Sequence, residues 1–288
     1  MPPPPEAPTF EDVPLVQLPD TAEEVEAMVN CFYDPSRLYH EDVVPVSPFW
    51  RAAMHMATKY MISVIRDRIV ENLEKQWPST LQAWVALKAN KRCLEEEWEP
   101  EELDAYYDDV VPEPASAIRF ARDFGVPSIL PAAFYALSLI DPRDDWDTCR
   151  GPGPYDADTL RQGGRSARWH LLGPSDYRGL LIGIPGLWNQ FMDFATWAER
   201  DKYSIYGRFK HCPCVYTTSK MTHSDVRRHG VLLCLGEVSV LAPDAILKDM
   251  YHEDVCETCR ERISKTATER MEEIWSKLGA MFMLDRAS

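Results

Sequence analysis

The chain of 288 residues carries 46 acidic and 31 basic side chains, which gives a formal net charge of −15. Apolar residues make up 45% and charged residues 27%, a composition typical of folded globular proteins rather than disordered chains. An acidic surface repels phosphate backbones and anionic lipids, so broad nucleic-acid or membrane-surface binding is not expected. Eight cysteines are too few in a chain of this length for a disulfide scaffold.

The N-terminal residues, Met1 to Pro5, contain neither the basic nor the apolar segment of a secretory signal. No apolar run approaches the roughly 20 residues that span a bilayer. The best run, Val231 to Pro243, is interrupted by Gly236 and Glu237. We therefore expect a soluble intracellular protein, cytoplasmic or nuclear, with reduced thiols. Residues 1–13 are Pro-rich and are predicted to be disordered or polyproline-like.

The first predicted helix follows an extended run over Pro14 to Leu18 and a turn at Pro19. Thr21 to Glu24 form a capping box, in which the threonine hydroxyl and the glutamate carboxylate bind each other's backbone amides. Behind this box, four apolar residues recur at helical spacing and are predicted to face the core. They are Val25, Met28, Val29 and Phe32.

A second start signal is formed by Ser47 as N-cap and Pro48 as the first helical residue. It predicts a helix over Phe49 to Tyr60, followed by another over Ile62 to Trp77. The residues predicted to face inward are Trp50, Ala53, Met54, Ala57, Ile62, Ile65, Ile69, Val70 and Leu73. Pro78 ends this pair, and Ser79 or Thr80 caps the next helix. That helix carries Leu81, Trp84, Val85 and Leu87.

The segment from Glu95 to Glu113 carries negative charge and no basic residue. This composition is typical of a solvated, mobile acidic insertion. The alternative is a docking segment for a basic partner, anchored by Trp98, Tyr106 and Tyr107.

Beyond the insertion, Ala115 to Phe124 form a helix with Ile118, Phe120 and Ala121 inward and Gly125 as a left-handed C-cap. An apolar helix follows over Ile129 to Ile140, with Pro131 in its first turn. The polar residues Asp141 to Gly164 form the best internal boundary. Later helices are predicted at Ser175 to Ile182, Pro185 to Glu199, Cys256 to Lys265 and Ala267 to Leu278, with extended pieces at Cys214 to Thr218 and Val231 to Leu235. The predicted fold class is mainly α, with little β structure.

No catalytic motif stands out. The Gly183 to Gly186 stretch lacks the spacing of a phosphate-binding loop, and neither a GxSxG elbow nor an HExxH pair occurs. The carboxylates lie mostly in exposed runs, where water solvates each one. The histidines His40, His55, His170, His223 and His229 are scattered. The sequence therefore favours a protein that is not an enzyme and needs no cofactor.

Two close-spaced cysteine pairs are the candidate metal ligands. Cys212 and Cys214 form one pair, and Cys256 and Cys259 form the other. Four thiolates suit tetrahedral zinc. However, Cys256 and Cys259 also lie one turn apart on a helix face, and buried cysteine commonly acts as a small apolar side chain. We favour core packing over zinc, and zinc over redox chemistry.

A stripe of aromatic residues at three-residue steps has two interpretations as well. Its members are Trp188, Phe191, Phe194 and Trp197. Core packing is the simpler interpretation, and a partner groove is the alternative.

Two stretches resemble BTB/POZ domains. Leu15 to Tyr33 is similar to the central strand and following helix of these domains. Phe49 to Leu73, with its Ala57-Thr-Lys-Tyr60 core, is similar to the next helices. Ile118 to Ser138, Cys256-Glu-Thr-Cys259 and the Arg270 to Phe282 tail are similar to a fungal group of BTB proteins.

The resemblance implies a BTB-like domain over residues 14–76. A helical extension covers 77–142, with the acidic insertion at 95–113, and a helical C-terminal region covers 143–288. It implies a protein-interaction module, such as an adaptor for ubiquitin-ligase or transcriptional assemblies. The family's N-terminal hairpin and first helices have no counterpart in Met1 to Val13. Because much of the family's dimer interface lies there, homo-oligomerisation is less expected than binding to other proteins. The alternative function is a zinc-stabilised regulatory protein that uses the paired cysteines.

Overall fold

Helix dominates the regular structure, which confirms the predicted fold class. The computed structural model describes residues 9–38, 47–96, 106–151, 160, 164–208, 231–232, 235 and 257–284. The chain divides into two compact units. The first comprises Met1–Glu41 and Ser47–Ile69, and the second comprises Asp42–Val46 and Val70–Ser288. This division differs from the predicted limits after residues 76 and 142.

A short β-hairpin begins the described part of the first unit. Strands β1 (Thr9–Phe10) and β2 (Val13–Pro14) pair antiparallel. The two residues between them, Glu11 and Asp12, have φ of 49° and 63°, which suits a tight hairpin turn. The predicted disorder is therefore wrong for residues 9–13, whereas residues 1–8 lie outside the described part. Of the predicted extended run over Pro14 to Leu18, Pro14 belongs to β2, and residues 15–18 lie in neither a helix nor a strand.

Helix α1 (Ala22–Tyr33) begins at the predicted capping box, in which Thr21 Oγ1 accepts from the amide of Glu24 at 3.2 Å and Glu24 Oε2 accepts from the amide of Thr21 at 3.0 Å. The prediction of its inward face was wrong in part. Ala27 and Cys31 are the buried residues, while Val29 and Phe32 are exposed. Small side chains at the buried positions allow α1 to pack closely on the following helix, and the larger ones lie on the other side.

Helices α2 (Pro48–Lys59) and α3 (Ser63–Gln76) follow. The Ser47 cap is formed, with its hydroxyl accepting from the amide of Trp50 at 3.2 Å. The four apolar residues predicted to face inward on α2 are buried, and so are Ile65, Ile69 and Leu73 on α3. Between the helices, Met61 adopts a left-handed conformation with φ of 55°, and the amide of Ile62 donates to the carbonyl of Ala57 at 2.8 Å. This is a Schellman C-cap with methionine at the position that glycine usually takes.

Six helices and three single-turn 3₁₀ segments have described bounds in the second unit. The helices are α4 (Leu81–Glu96), α5 (Pro114–Phe124), α6 (Leu130–Leu137), the short α7 (Trp146–Cys149), α8 (Pro174–Arg208) and α9 (Glu257–Met281). The 3₁₀ segments are Tyr107–Asp109, Pro127–Ile129 and Trp169–Leu171. Thr80 caps α4, and Gly125 ends α5 with φ of 64°, both as predicted.

Three predictions of element limits in this unit were wrong. Helix α8 continues through Pro185, where a break was expected, and α9 is continuous where two helices were expected. Thr268 Oγ1 donates to the carbonyl of Ser264 at 2.9 Å, so the polar residues in the middle of α9 are accommodated within the helix. Val231, Leu232 and Leu235 are helical, although an extended piece was predicted there.

Helix α6 lies at the centre of this unit and is buried on almost every side. Helix α9 packs on α8, α6 and α4. Its buried apolar residues include Ala267, Met271, Ile274 and Leu278, and the buried Phe282 follows directly after its end. The Phe282 ring lies 5.5 Å from that of Phe134, centroid to centroid. Trp84 of α4 meets Tyr135 edge-on at 5.6 Å. Trp146 and Cys149 are also buried, so the segment from 141 to 164 does not separate two units as predicted.

Close approach of α8 and the end of α9 depends on two glycines of α8. A Cβ atom at Gly183 would overlap the ring of Phe282, and one at Gly179 would lie 2.6 Å from the carbonyl oxygen of Phe282. A Cβ atom at Gly186, one turn further, would meet nothing within 4 Å. Gly183 thus serves helix packing, in keeping with its lack of phosphate-loop spacing.

Candidate interaction surface

The described end of the acidic segment is bound inside the second unit. Asp108 is completely buried and accepts hydrogen bonds from Arg165 Nε at 2.6 Å and Arg150 Nη2 at 3.1 Å. It also accepts from the amide and the hydroxyl of Ser166, at 3.1 and 2.5 Å. The expectation of a solvated insertion is therefore wrong for this residue, because two guanidinium groups and a serine replace its water shell.

Neighbouring groups extend this network. Arg150 also binds Asp109, and its guanidinium carbon lies 3.4 Å from the centroid of the Trp146 ring. Glu113 is buried at the N-terminus of α5, where it accepts from the amides of Ala115 and Ser116 at 2.8 and 2.7 Å. The carboxylates of Asp108, Asp109 and Glu113 all accept hydrogen bonds from groups of the same unit. They are poorly placed to bind a basic partner, and the side chains of Trp98 and Tyr107 lie outside the described residues.

Within the first unit, polar side chains join the start of α1 to the end of α2. Asp20 accepts hydrogen bonds from Lys59 Nζ and from Tyr60 Oη, the latter at 2.5 Å. One turn further, Glu24 Oε1 lies 2.7 Å from His55 Nδ1. We call these five residues the α1–α2 clasp. It brings together His55, one of the scattered histidines, and Lys59 and Tyr60 of the Ala57-Thr-Lys-Tyr60 core.

The clasp changes the proton affinities of its members. The hydrogen bond from Lys59, with that from Tyr60, holds the pKa of Asp20 below its ordinary value of 3.8. The same bonds raise the pKa of Lys59 and of Tyr60, since each favours the protonated donor. The pKa of Glu24 is lowered chiefly by the amide of Thr21. All these shifts favour the paired state near neutral pH. They describe a stabilising contact between α1 and α2.

Large apolar side chains are exposed on the other side of α1. Val29, Phe32 and Tyr33 are 40%, 56% and 88% exposed. They are three and four residues apart, so they form one continuous patch at the C-terminal end of the helix. We call this patch the α1 apolar face. Further exposed apolar residues of the same unit are Phe10, Val13, Leu15, Val16, Met61 and Val64.

Cys212, Cys214 and Cys256 lie outside the described residues, and Cys259 lies in α9 with its side chain undescribed. Among the described residues, no group of three or more His, Cys, Asp or Glu side chains is arranged to hold a metal ion.

Phe191 and Phe194 are buried, which confirms core packing for half of the aromatic stripe. Trp188 is partly exposed, and its ring lies 5.9 Å from that of Phe191, centroid to centroid. The side chain of Trp197 lies outside the described residues.

Sequence reasoning missed the buried network around Asp108 and the outward orientation of α1. A signal for the network existed, since Arg150, Arg165 and Arg168 are basic residues within a Gly- and Pro-bearing loop that follows an uncompensated acidic run. A signal for the orientation also existed, because Ala27 and Cys31 are small and four residues apart.

None of the helices in the described part of the chain is both long enough and apolar enough to cross a membrane. No protein-family model matches the chain, and comparisons with curated proteins and with solved structures likewise find no match.

Proposed function

We propose that this chain is a non-enzymatic protein-interaction module of BTB/POZ type. The observation that carries the proposal is the α1 apolar face, Val29, Phe32 and Tyr33. Contiguous exposed apolar side chains typically mark docking sites, whereas single ones need no explanation. The resemblance of Leu15 to Tyr33 and of Phe49 to Leu73 to BTB domains supports the same class. It implies an adaptor that links a partner to a ubiquitin-ligase or transcriptional assembly.

The α1–α2 clasp supports the proposal energetically. Binding costs less when the surface is already ordered before the partner arrives. Asp20 and Glu24 join the first turn of α1 to α2, and Ala27 and Cys31 are buried along the same side. The opposite side is thereby presented on a backbone that is held in place. Aromatic residues are also the side chains that most often dominate binding energy at interfaces, which suits Phe32 and Tyr33.

Site-specific photocrosslinking in cells tests the proposal. A benzophenone amino acid in place of Tyr33 is expected to give discrete crosslinked species after irradiation. The same group in place of Asp67, an exposed residue of α3 in the first unit, serves as the matched control and is expected to give none. Equal yields from both positions, or no protein adduct from Tyr33, would refute the proposed role of this face.

A further inference from the structure

The outward side of α1 has two zones along its length. Glu26, Val29 and Tyr33 follow one another at three- and four-residue steps, so they form a single line along the helix. Glu23 flanks the start of this line, and Phe32 flanks its end. Glu26 and Tyr33 are seven positions apart, which is about 10 Å along the axis. Exposed carboxylates thus occupy the N-terminal half and exposed apolar groups the C-terminal half.

The carboxylates of α1 have no basic residue close to them in the sequence. Residues 9–36 contain no lysine, arginine or histidine, and Arg37 is the first basic residue after α1. Glu11 and Asp12 in the hairpin turn and Asp34 after α1 are exposed as well. Lys59 and His55 are engaged by Asp20 and Glu24 on the inward side of the helix. The N-terminal side of the α1 apolar face is therefore bordered by negative charge.

We infer that this face binds an amphipathic helix of a partner protein that carries lysine or arginine about two turns from its apolar anchors. The inference rests on the proposed function and specifies the chemistry of the partner. Apolar anchors would cover Phe32 and Tyr33, while the basic groups reach Glu23 and Glu26. Complementary charge of this kind speeds association and excludes wrong partners.

A second copy of this chain fits the face poorly. Two α1 helices packed in parallel would place Glu23 and Glu26 opposite their own counterparts, and like charges at an interface are costly. Packed antiparallel, the carboxylates of each copy would lose water against the apolar end of the other. An acidic partner would meet the same repulsion. A basic amphipathic helix avoids both costs.

Selection from a phage-displayed library of random 16-residue peptides, with the purified full chain as bait, tests this inference. Enriched peptides are expected to be basic, with apolar residues at helical spacing. The double substitution F32A/Y33A should weaken their binding at least tenfold. The double substitution E23Q/E26Q should weaken peptide binding several-fold at low salt. It should also flatten the salt dependence of binding, because no attraction between opposite charges then remains for salt to screen.

Two single substitutions at exposed positions of α3, V64A and D67N, are the matched controls and should leave binding unchanged. All substituted side chains are exposed, so an unchanged thermal midpoint verifies that each variant is folded. Enrichment of acidic or neutral peptides, failure to enrich any peptide, or equal sensitivity to the controls would overturn the inference. So would a sedimentation result in which the chain dimerises and F32A/Y33A abolishes the dimer.

The two experiments separate the inference from the proposed function. A partner crosslinked through position 33 that contains no basic amphipathic helix would leave the proposed function standing and refute the inference. Absence of any crosslinked partner, together with selected peptides that bind elsewhere on the chain, would refute both.

Discussion

Asp20 is a single carboxylate that receives hydrogen bonds from two side chains at the end of α2. Its lowered pKa means that folding favours its ionised form. The stabilisation is present above its ordinary pKa of 3.8 and is lost as the pH falls through the lowered value. The raised pKa of Lys59 acts in the opposite direction. Its stabilisation is present below the ordinary value of 10.5 and is lost as the pH rises through the raised one.

We therefore expect the first unit to be most stable between these limits and to weaken at both extremes of pH. Hydrogen exchange of the α1 amides, followed by mass spectrometry, measures the effect. The substitution D20N should increase exchange a few-fold at pH 7 and reduce the further loss of protection in acid. D12N, at an exposed position of the hairpin turn, is the control, and an equal effect there would contradict the role of the clasp.

Three glycines of α8 differ in what a Cβ atom at each would meet. Alanine at Gly179 or Gly183 would collide with Phe282, and relieving such overpacking typically costs about 1–3 kcal/mol. Alanine at Gly186 meets nothing and should gain about 0.5–1 kcal/mol from helix propensity. In thermal denaturation, the unfolding midpoint should therefore be lower for G179A and G183A than for the unsubstituted chain, and higher for G186A. A uniform shift of the three midpoints would show that α8 and α9 do not approach each other in this way.

At the scale of elements, the segment that begins with the 3₁₀ turn Tyr107–Asp109 is joined to the loop before α8. Asp108 and Pro112 of this segment both accept hydrogen bonds from Arg165, and Glu113 accepts from the amide of Arg168 at 3.2 Å. The segment thus connects residues that are more than fifty positions apart. Its acidic composition serves attachment to the loop and not solvation.

Removal of one partner from such a buried charge network is expensive, because the remaining charges lose both water and their counterion. The substitution D108A should reduce the free energy of unfolding by about 3–5 kcal/mol. Urea denaturation measures it, and D147N, at an exposed position of α7, provides the control. A loss below about 1 kcal/mol would indicate that the network is solvated in solution.

Element starts were predictable because their signals are local. The capping box of α1, the Ser47-Pro48 start of α2 and the Gly125 end of α5 all depend on residues within one turn. Pro185 misled the prediction because a proline inside a helix costs a hydrogen bond, yet a helix held by neighbours can bear that cost. The buried side of α1 was beyond prediction from apolar spacing, since close packing through Ala27 and Cys31 outweighed it.

At the scale of the whole molecule, the sequence predicted the mainly helical class and a first folded body that includes the Ala57-Thr-Lys-Tyr60 core. It did not predict that the two units divide inside α3. For the candidate surface, the sequence indicated the residues but not that they lie together on an exposed side of α1. The apolar residues of α1 were noted, but their exposure depends on which side of α1 packs on α2, and apolar spacing alone does not predict that side.

The proposed function requires no metal. If the paired cysteines pack as apolar side chains, a strong chelator should leave the thermal midpoint unchanged, and the purified chain should hold less than stoichiometric zinc. The double substitution C212S/C214S tests the same point without a chelator. A large fall of the midpoint with chelator, reversed by added zinc, would favour the zinc-stabilised alternative.

The position of α9 has a consequence for synthesis of the chain. The indole of Trp275 donates to the carbonyl of Ser79, 196 residues earlier, and Phe282 completes the packing around α6. Ribosomes add about 5–20 residues per second, so α4 waits on the order of 10 to 40 s for this partner. During that interval the apolar side of α6 has no cover from α9. We expect the nascent chain to depend on chaperones late in translation, and slower decoding before α9 to increase aggregation.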